Sequence, residues 1–276
     1  MSPRVRRRIL EAPKYLLLGL ILLWVFVPLY FLVAVSFTRP GTTLDGLERP
    51  PVVTTRNYDF VLFGQNVIWP SLQNSAILTV GATLLALLAA VPAAYALSHL
   101  RHLRSGRGVY LSFFVLRGVP PVALALPFYV LFARAGLLNT LHGLIVALVP
   151  LALPYAVWTL RVFFDAIPRE IEEAASVDGA GVWRTFFSIV LPTARPGIAA
   201  TGILSALLVY VDYLIVATLA GPATTAYPVY VTGFQQDYVA LVGPLAAASL
   251  LGALPMIAMF AFSQRYMRRL ATAGIH

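Results

Sequence analysis

From Tyr15 to Ser36 the chain carries no charged side chain, and apolar runs of similar length recur along it. A helix needs roughly 20 mostly apolar residues to cross a bilayer. Runs of this kind leave little choice of fold, because backbone groups in lipid must be satisfied within the protein. Composition points the same way: 59% of residues are hydrophobic and 11% charged, with a mean hydropathy of +0.82. A soluble domain has about 45–50% and 25%. The net charge of +9 sits in short clusters between the runs rather than on one basic face, a membrane pattern and not a nucleic-acid-binding one.

Six spans are expected, at about 15–36, 72–97, 109–133, 141–164, 198–219 and 240–262. Residues 1–14 form a basic N-terminus with Arg4, Arg6, Arg7, Arg8 and Lys14. A secretory leader also starts with a basic region and an apolar core. Here the apolar run is too long and no small-residue cleavage site precedes Phe37, so it reads as a retained anchor. Counting Lys and Arg by side gives fifteen with the N-terminus, the 99–107 link, the central stretch (Arg161, Arg169, Arg184 and Arg195) and the tail. Four (Arg39, Arg49, Arg56 and Arg134) fall on the other side. Positive charge stays in the cytoplasm. The expectation is an all-α polytopic membrane protein with six transmembrane helices, both termini cytoplasmic, and residues 15–276 as a single transmembrane domain.

Several chemistries are excluded. With no cysteine there is no disulfide, thiolate zinc site or thiol nucleophile. Lys14 is the only lysine, so no phosphate-binding G-x-x-x-x-G-K-[ST] loop exists. His99, His102, His142 and His276 show no metal-ligand spacing, and no nucleophile–base pair supports an intramembrane enzyme.

One segment breaks the pattern. Asp165 to Arg184 holds five of the eleven acidic residues between two apolar runs. Pro168 suits a first helical position. Glu170, Glu172 and Glu173 suit the positive end of a helix dipole, and Gly179 suits a left-handed stop. This predicts a helix of about eleven residues, roughly 16 Å long. A second amphipathic helix follows, with Val182, Trp183, Phe186, Phe187 and Val190 on one face, and Leu191-Pro192 is expected to stop it. A helix lying passively on lipid favours basic residues on its polar face; the first of these two is net acidic.

The spacing Glu173-Ala174-Ala175, three residues, Gly179, nine residues, Ile189, one residue, Leu191-Pro192 resembles the EAA signature of bacterial ABC-importer permeases. Asn74-Ser75, Ala93-Ala94-Tyr95-Ala96-Leu97-Ser98, Gly136-Leu137-Leu138-Asn139-Thr140 and Ile167-Pro168 resemble the carbohydrate-uptake permeases of the maltose-transporter type, most closely the second, shorter permease of the pair. The likeness covers nearly the whole chain. It implies a type I importer permease fold with a cytoplasmic coupling helix in the 165–197 region. Glu172, Glu173, Ala174, Ala175, Asp178, Gly179, Leu191 and Pro192 would serve ATPase coupling. The implied partners are a second homologous permease, two copies of a cytoplasmic ATPase carrying the ATP-Mg, an extracytoplasmic binding protein or lipoprotein, and membrane lipid, with no nucleic acid. No cofactor is expected on this chain.

Polar residues inside spans are the remaining candidates. An ionisable residue there is functional by default. Asn74, Arg117, Tyr210, Asp212 and Tyr213 are expected to line the translocation pathway. Arg117 can instead snorkel to the interface or pair with Asp212. The family commonly has Trp-Asn-Glu/Asp-Phe/Leu where this chain has Tyr210-Val211-Asp212-Tyr213, which leaves the solute open between a sugar and a polyamine or glycerol phosphate. A secondary transporter working alone would show internal repeats, and none is evident.

Overall fold

The computed structural model describes residues 3–39, 53–64, 67–100, 108–109, 111–113, 115, 118–235 and 241–273. Every regular element among them is helical. In order these are α1 (Pro3–Ser36), α2 (Arg56–Phe63), α3 (Trp69–His99), α4 (Pro121–Arg134), α5 (Leu141–Asp165), α6 (Arg169–Val177) and α7 (Val182–Thr185). A π turn (Phe186–Val190) leads into α8 (Leu191–Tyr210), α9 (Leu214–Leu219), α10 (Tyr227–Thr232), a 3₁₀ turn (Gly233–Gln235) and α11 (Val242–Ala273). Among the described residues, five helical stretches are long and apolar enough to cross a membrane: Lys14–Ser36, Trp69–His99, Leu141–Asp165, Val182–Tyr210 and Val242–Gln264. The third expected span, 109–133, is represented by the shorter apolar helix α4, which opens with Pro121 in its first turn after an extended Pro120.

The chain divides into two compact units, Met1–Ile68 with Val231–Leu251 and Trp69–Tyr230 with Gly252–His276. In the first, the fully buried Asn57 ties α2 to the end of α1. Its Nδ2 donates to the Ser36 carbonyl at 3.0 Å and the Thr38 carbonyl at 2.7 Å. Both acceptors lie where a helix end leaves carbonyls without partners. Tyr58 adds a 2.9 Å hydrogen bond to Ser36 Oγ and a ring contact with Phe37.

The second unit is built on α3, α5 and α8. Ala82, Ala86, Ala90 and Ala94 recur every four residues on α3, and all four are 0% exposed. They face Leu144, Ala147, Leu148 and Ala152 in one core cluster and Ala156, Val157, Leu160 and Phe164 in the next. In lipid, helices gain no solvent-driven attraction for each other. Small residues let them approach until van der Waals packing holds them. Val190 of the π turn and Ala194 of α8 join at one end, and Val209 of α8, with Ile215, Val216 and Leu219 of α9, packs at the other.

Two expectations about the last part of this unit are corrected. Leu191-Pro192 does not stop the second amphipathic helix, which continues to Tyr210. The π turn supplies the reason. The Leu191 N–H donates to the Phe186 carbonyl, five residues back, so the α-ladder has already been offset when Pro192 arrives without an N–H. Thr193 Oγ1 then caps the Ile189 carbonyl at 2.7 Å. Nor is 198–219 one helix. α8 ends at Tyr210, and the chain leaves helical geometry before α9 begins at Leu214. Asp212 is the cause: its Oδ1 accepts from the Ile215 N–H at 3.0 Å, offering the backbone a side-chain partner in place of the helical ladder.

Close packing sets a clear test. A Cβ on Gly197 would lie 2.6 Å from Phe163 Cγ, inside any allowed contact. Gly197→Val is therefore expected to destabilise the bundle by about 1–3 kcal/mol, read as a lower melting temperature of the purified chain in detergent. Gly19→Ala, where a Cβ meets nothing within 4 Å, should leave the melting temperature unchanged.

Candidate functional site

The polar excursion between α5 and α8 folds as sequence chemistry demands, with adjusted boundaries. Pro168 lies just outside α6 with extended ψ of 132°, so the helix has nine residues rather than eleven and is about 13 Å long. Glu170 and Glu172 fill its first turn, where the dipole favours them. Its end is fully tied off. Gly179 takes φ +78°, its N–H donates to the Ser176 carbonyl at 3.1 Å, and the Ala180 N–H donates to the Ala175 carbonyl at 2.9 Å. This pair of bonds is the Schellman stop. A Cβ on Gly179 would meet no atom within 4 Å, so only backbone conformation demands glycine there.

α6 has two faces. Outward lie Ile171, Glu173, Ala174 and Val177, with Val177 88% exposed, and Asp178 and Gly179 continue that surface. Inward lie Ala175, which is buried, and two polar side chains that grip the last turn of α3. Arg169 donates from its guanidinium to the Ser98 carbonyl at 2.9 Å. Glu172 Oε2 accepts from Tyr95 OH at 2.7 Å and sits 3.0 Å from His99 Nε2. A carboxylate only accepts, so Nε2 donates in this contact. The eight expected coupling residues therefore separate. Glu173, Ala174, Asp178 and Gly179 are exposed on the outer surface. Glu172 and Ala175 hold α6 in place. Leu191 and Pro192 are half-buried at the start of α8.

α7 sits beside this grip. Thr185 and Phe186 are buried, while Val182, Trp183 and Phe187 are exposed, the last two rings stacked at 6.0 Å. Phe186 packs on Tyr95 with ring centroids 4.8 Å apart. An apolar cavity of about 550 Å³ opens here, lined by Pro92, Tyr95, Ala96, Trp183 and Phe186 among others. A polar cleft of about 440 Å³ lies on the other side of the grip, lined by Ser98, Asp165, Arg169 and Glu170.

The candidate pathway residues are drawn largely into structural work. Asn74 Nδ2 donates to the carbonyls of Ala223 and Thr225 at 3.1 and 3.0 Å, while its neighbour Ser75 accepts from the Tyr227 N–H at 2.8 Å. Tyr210 is buried, donates to the Gly252 carbonyl at 2.9 Å, and stacks on Tyr227 at 5.7 Å. Asn74 and Tyr210 thus converge on one segment, 223–227, and Asp212 caps α9. Tyr213 alone of the four presents an exposed ring. Arg117 lies outside the described residues. No group of three or more metal-ligating side chains occurs among the described residues.

Tyr95 and His99 were not singled out by sequence reasoning as partners of Glu172. Their signal is faint: polar Tyr95, Ser98 and His99 recur at i, i+3 and i+4, one face of the last turn of an apolar helix.

With this geometry in view, comparison with known proteins is specific. Residues 82–272 match the family described as "Binding-protein-dependent transport system inner membrane component". The diacetylchitobiose uptake system permease protein NgcG of Streptomyces coelicolor is 33% identical, covering 90% of this chain and 83% of that one. The maltodextrin transport system permease protein MdxG of Bacillus subtilis is 29% identical over 99% of both chains. The trehalose transport system permease protein SugB of Mycobacterium tuberculosis is 28% identical, covering 91% of this chain and 92% of that one. The same fold appears in the crystal structure of a bacterial ABC transporter involved in the import of the acidic polysaccharide alginate, at a TM-score of 0.74 and 21% identity over 96% of this chain and 98% of that one. The excursion with its outward acidic helix, set between long apolar helices, accordingly sits in a chain that belongs to the inner-membrane components of binding-protein-dependent transport systems.

Proposed function

We propose that this chain is one of two permease subunits of an ATP-driven importer for a sugar or sugar-like solute, and that α6 is its coupling helix. The observation that carries this reading is the outward face of α6. Glu173, Ala174 and Val177 are exposed on a short helix whose other face is anchored and whose C-terminus is closed by Gly179. Such an element has its geometry fixed before a partner arrives, which lowers the ordering cost of docking. The acidic Glu173 supplies a charge-assisted contact, and the small Ala174 permits close approach. With no phosphate-binding loop in its own sequence, the chain takes its energy from ATP-Mg held by two separate ATPase subunits. The topology proposed with this is six spans with both termini cytoplasmic, paired with a homologous permease to enclose the pathway. An external binding protein delivers the solute.

Relatives named for uptake of diacetylchitobiose, trehalose and maltodextrin favour the carbohydrate class. The capping role of Asp212 favours it too, since a carboxylate engaged with the backbone of α9 is a poor counter-charge for a polyamine.

Glu173→Ala and Gly179→Asp are expected to weaken ATPase association and abolish solute uptake while the protein remains in the membrane. The second substitution also forces a β-carbon into left-handed geometry at about 1–2 kcal/mol. Co-purification of the ATPase with the permease pair, beside uptake by cells, reads both effects; normal uptake by both variants would remove the coupling assignment. The solute class is checked on the cognate binding protein. An oligosaccharide should raise its melting temperature, and polyamines and glycerol phosphate should not.

A further inference from the structure

The grip that holds α6 from behind consists of three hydrogen bonds, spread over Arg169 and Glu172 on one helix and Tyr95, Ser98 and His99 on the other. Two attachment points on α6, three residues apart, and three on α3, within four residues of one another, remove rotation as well as translation. The Glu172 side chain is only 18% exposed, and its Tyr95 contact lies further from solvent than the His99 contact, whose ring is 36% exposed. Water therefore screens the Tyr95–Glu172 bond less than the His99–Glu172 pair. α3 itself is one unbroken helix from Trp69 to His99, about 46 Å long, continuous through Pro92. At its far end Asn74 and Ser75 hold the backbone of the 223–227 segment through three further hydrogen bonds.

A chain of rigid elements transmits displacement only if every joint is stiff. Here each joint is polar and directional, and the element between them is a single helix. The apolar contact of Phe186 with Tyr95 backs the lower joint without fixing its direction.

We propose that Tyr95 and Glu172, seconded by His99 and Arg169, clamp α6 to α3, so that α3 acts as a connecting rod carrying motion of α6 to the 223–227 segment. Glu172 is thus a positioning residue of the coupling step, whereas its neighbour Glu173 is the docking residue. The inference rests on the reading of α6 as the coupling helix.

The experiment uses the complete importer, with its partner permease, ATPases and binding protein, reconstituted in liposomes. The readout is solute accumulated per ATP hydrolysed. Tyr95→Phe removes only the donating hydroxyl, Glu172→Ala removes the acceptor, and Glu172→Gln keeps one acceptor oxygen for Tyr95. Tyr95→Phe and Glu172→Ala should still co-purify with the ATPase, but their solute-to-ATP ratio should fall at least about tenfold, the equivalent of one hydrogen bond to a charged group. The double variant should be no worse than Glu172→Ala, since that substitution already removes the bond lost in Tyr95→Phe, and Glu172→Gln should recover most of the ratio. A merely structural role would lower the yield of assembled complex and leave the ratio of the assembled fraction unchanged, and that result overturns the proposal. Should Glu172→Ala fail to assemble, the ratio for Tyr95→Phe decides alone. If Glu172→Ala loses the ATPase while Glu173→Ala keeps it, Glu172 is the docking contact itself and the clamp is wrong. If neither substitution touches ATPase association or uptake, α6 is not the coupling helix, and the failure lies with the assignment beneath the clamp.

Discussion

Four alanines set the distance between α3 and α5, and much of the second unit follows from it. Lipid solvates leucine as well as a protein core does, so a bundle of apolar helices has no reason to close except contact itself. Ala82, Ala86, Ala90 and Ala94 present a flat seam just over three turns long, fully excluded from the surface. The larger side chains of α5 settle onto it, and Leu144, Leu148, Val157 and Leu160 are almost completely buried as a result. Glycines extend the same economy to other contacts, with Gly81 under Ile145 and Gly197 under Phe163. Because α3 and α5 are locked along their length, the polar groups at their ends arrive at defined positions. Only then can Tyr95 reach Glu172, and Asn74 reach the 223–227 backbone.

Departures from helix occur where a side chain or a wider turn takes over the backbone's hydrogen bonds. Asp212 opens α9, Gly179 closes α6, Thr140 caps α5 by accepting from the Gly143 N–H at 3.2 Å, and the π turn before Pro192 lets a helix pass a residue that should end it. In each case the freed donors and acceptors find partners within a few residues. Within the apolar helices this pairing matters most, since an unpaired polar group there has no water to fall back on, whereas the Gly179 stop lies in the exposed excursion. The buried hydroxyls of Thr79, Thr83, Thr201 and Ser205 stand apart, without hydrogen-bond partners on α3 and α8.

What could be read from the sequence was whatever a single stretch of chain determines. The apolar runs located α1, α3, α5 and α11 to within a few residues at most ends. The excursion was legible as a helix, a glycine turn and a second helix, because Gly179, the acidic first turn and the aromatic face are all local signals. Three things were not legible. The passage through Pro192 depends on an offset of the ladder four residues earlier, which leaves no mark in composition. The break at 211–213 hides inside an apolar run and is betrayed only by Asp212, which reads equally as a pathway acid. The separation of Glu172 from Glu173 was invisible because adjacent residues on a helix point about 100° apart. Which of the two faces inward is decided by Tyr95, 77 positions away.

In the coupling role proposed for α6, that separation gives the paired acids a division of labour. A docking helix has two demands that pull against each other: it must offer polar groups to a partner, and it must not swivel when the partner pulls. One carboxylate cannot serve both, because a charge satisfied by Tyr95 and His99 has little left for an outside donor, and a charge left free fixes nothing. Two adjacent glutamates on one helix solve this without lengthening it. The helix twist sends Glu172 to the scaffold and Glu173 to solvent, and the Schellman stop at Gly179 closes the last turn. The run Glu172-Glu173-Ala174-Ala175 is then divided between the two tasks. An anchoring acid and a presenting acid come first, followed by a presenting alanine and a buried one.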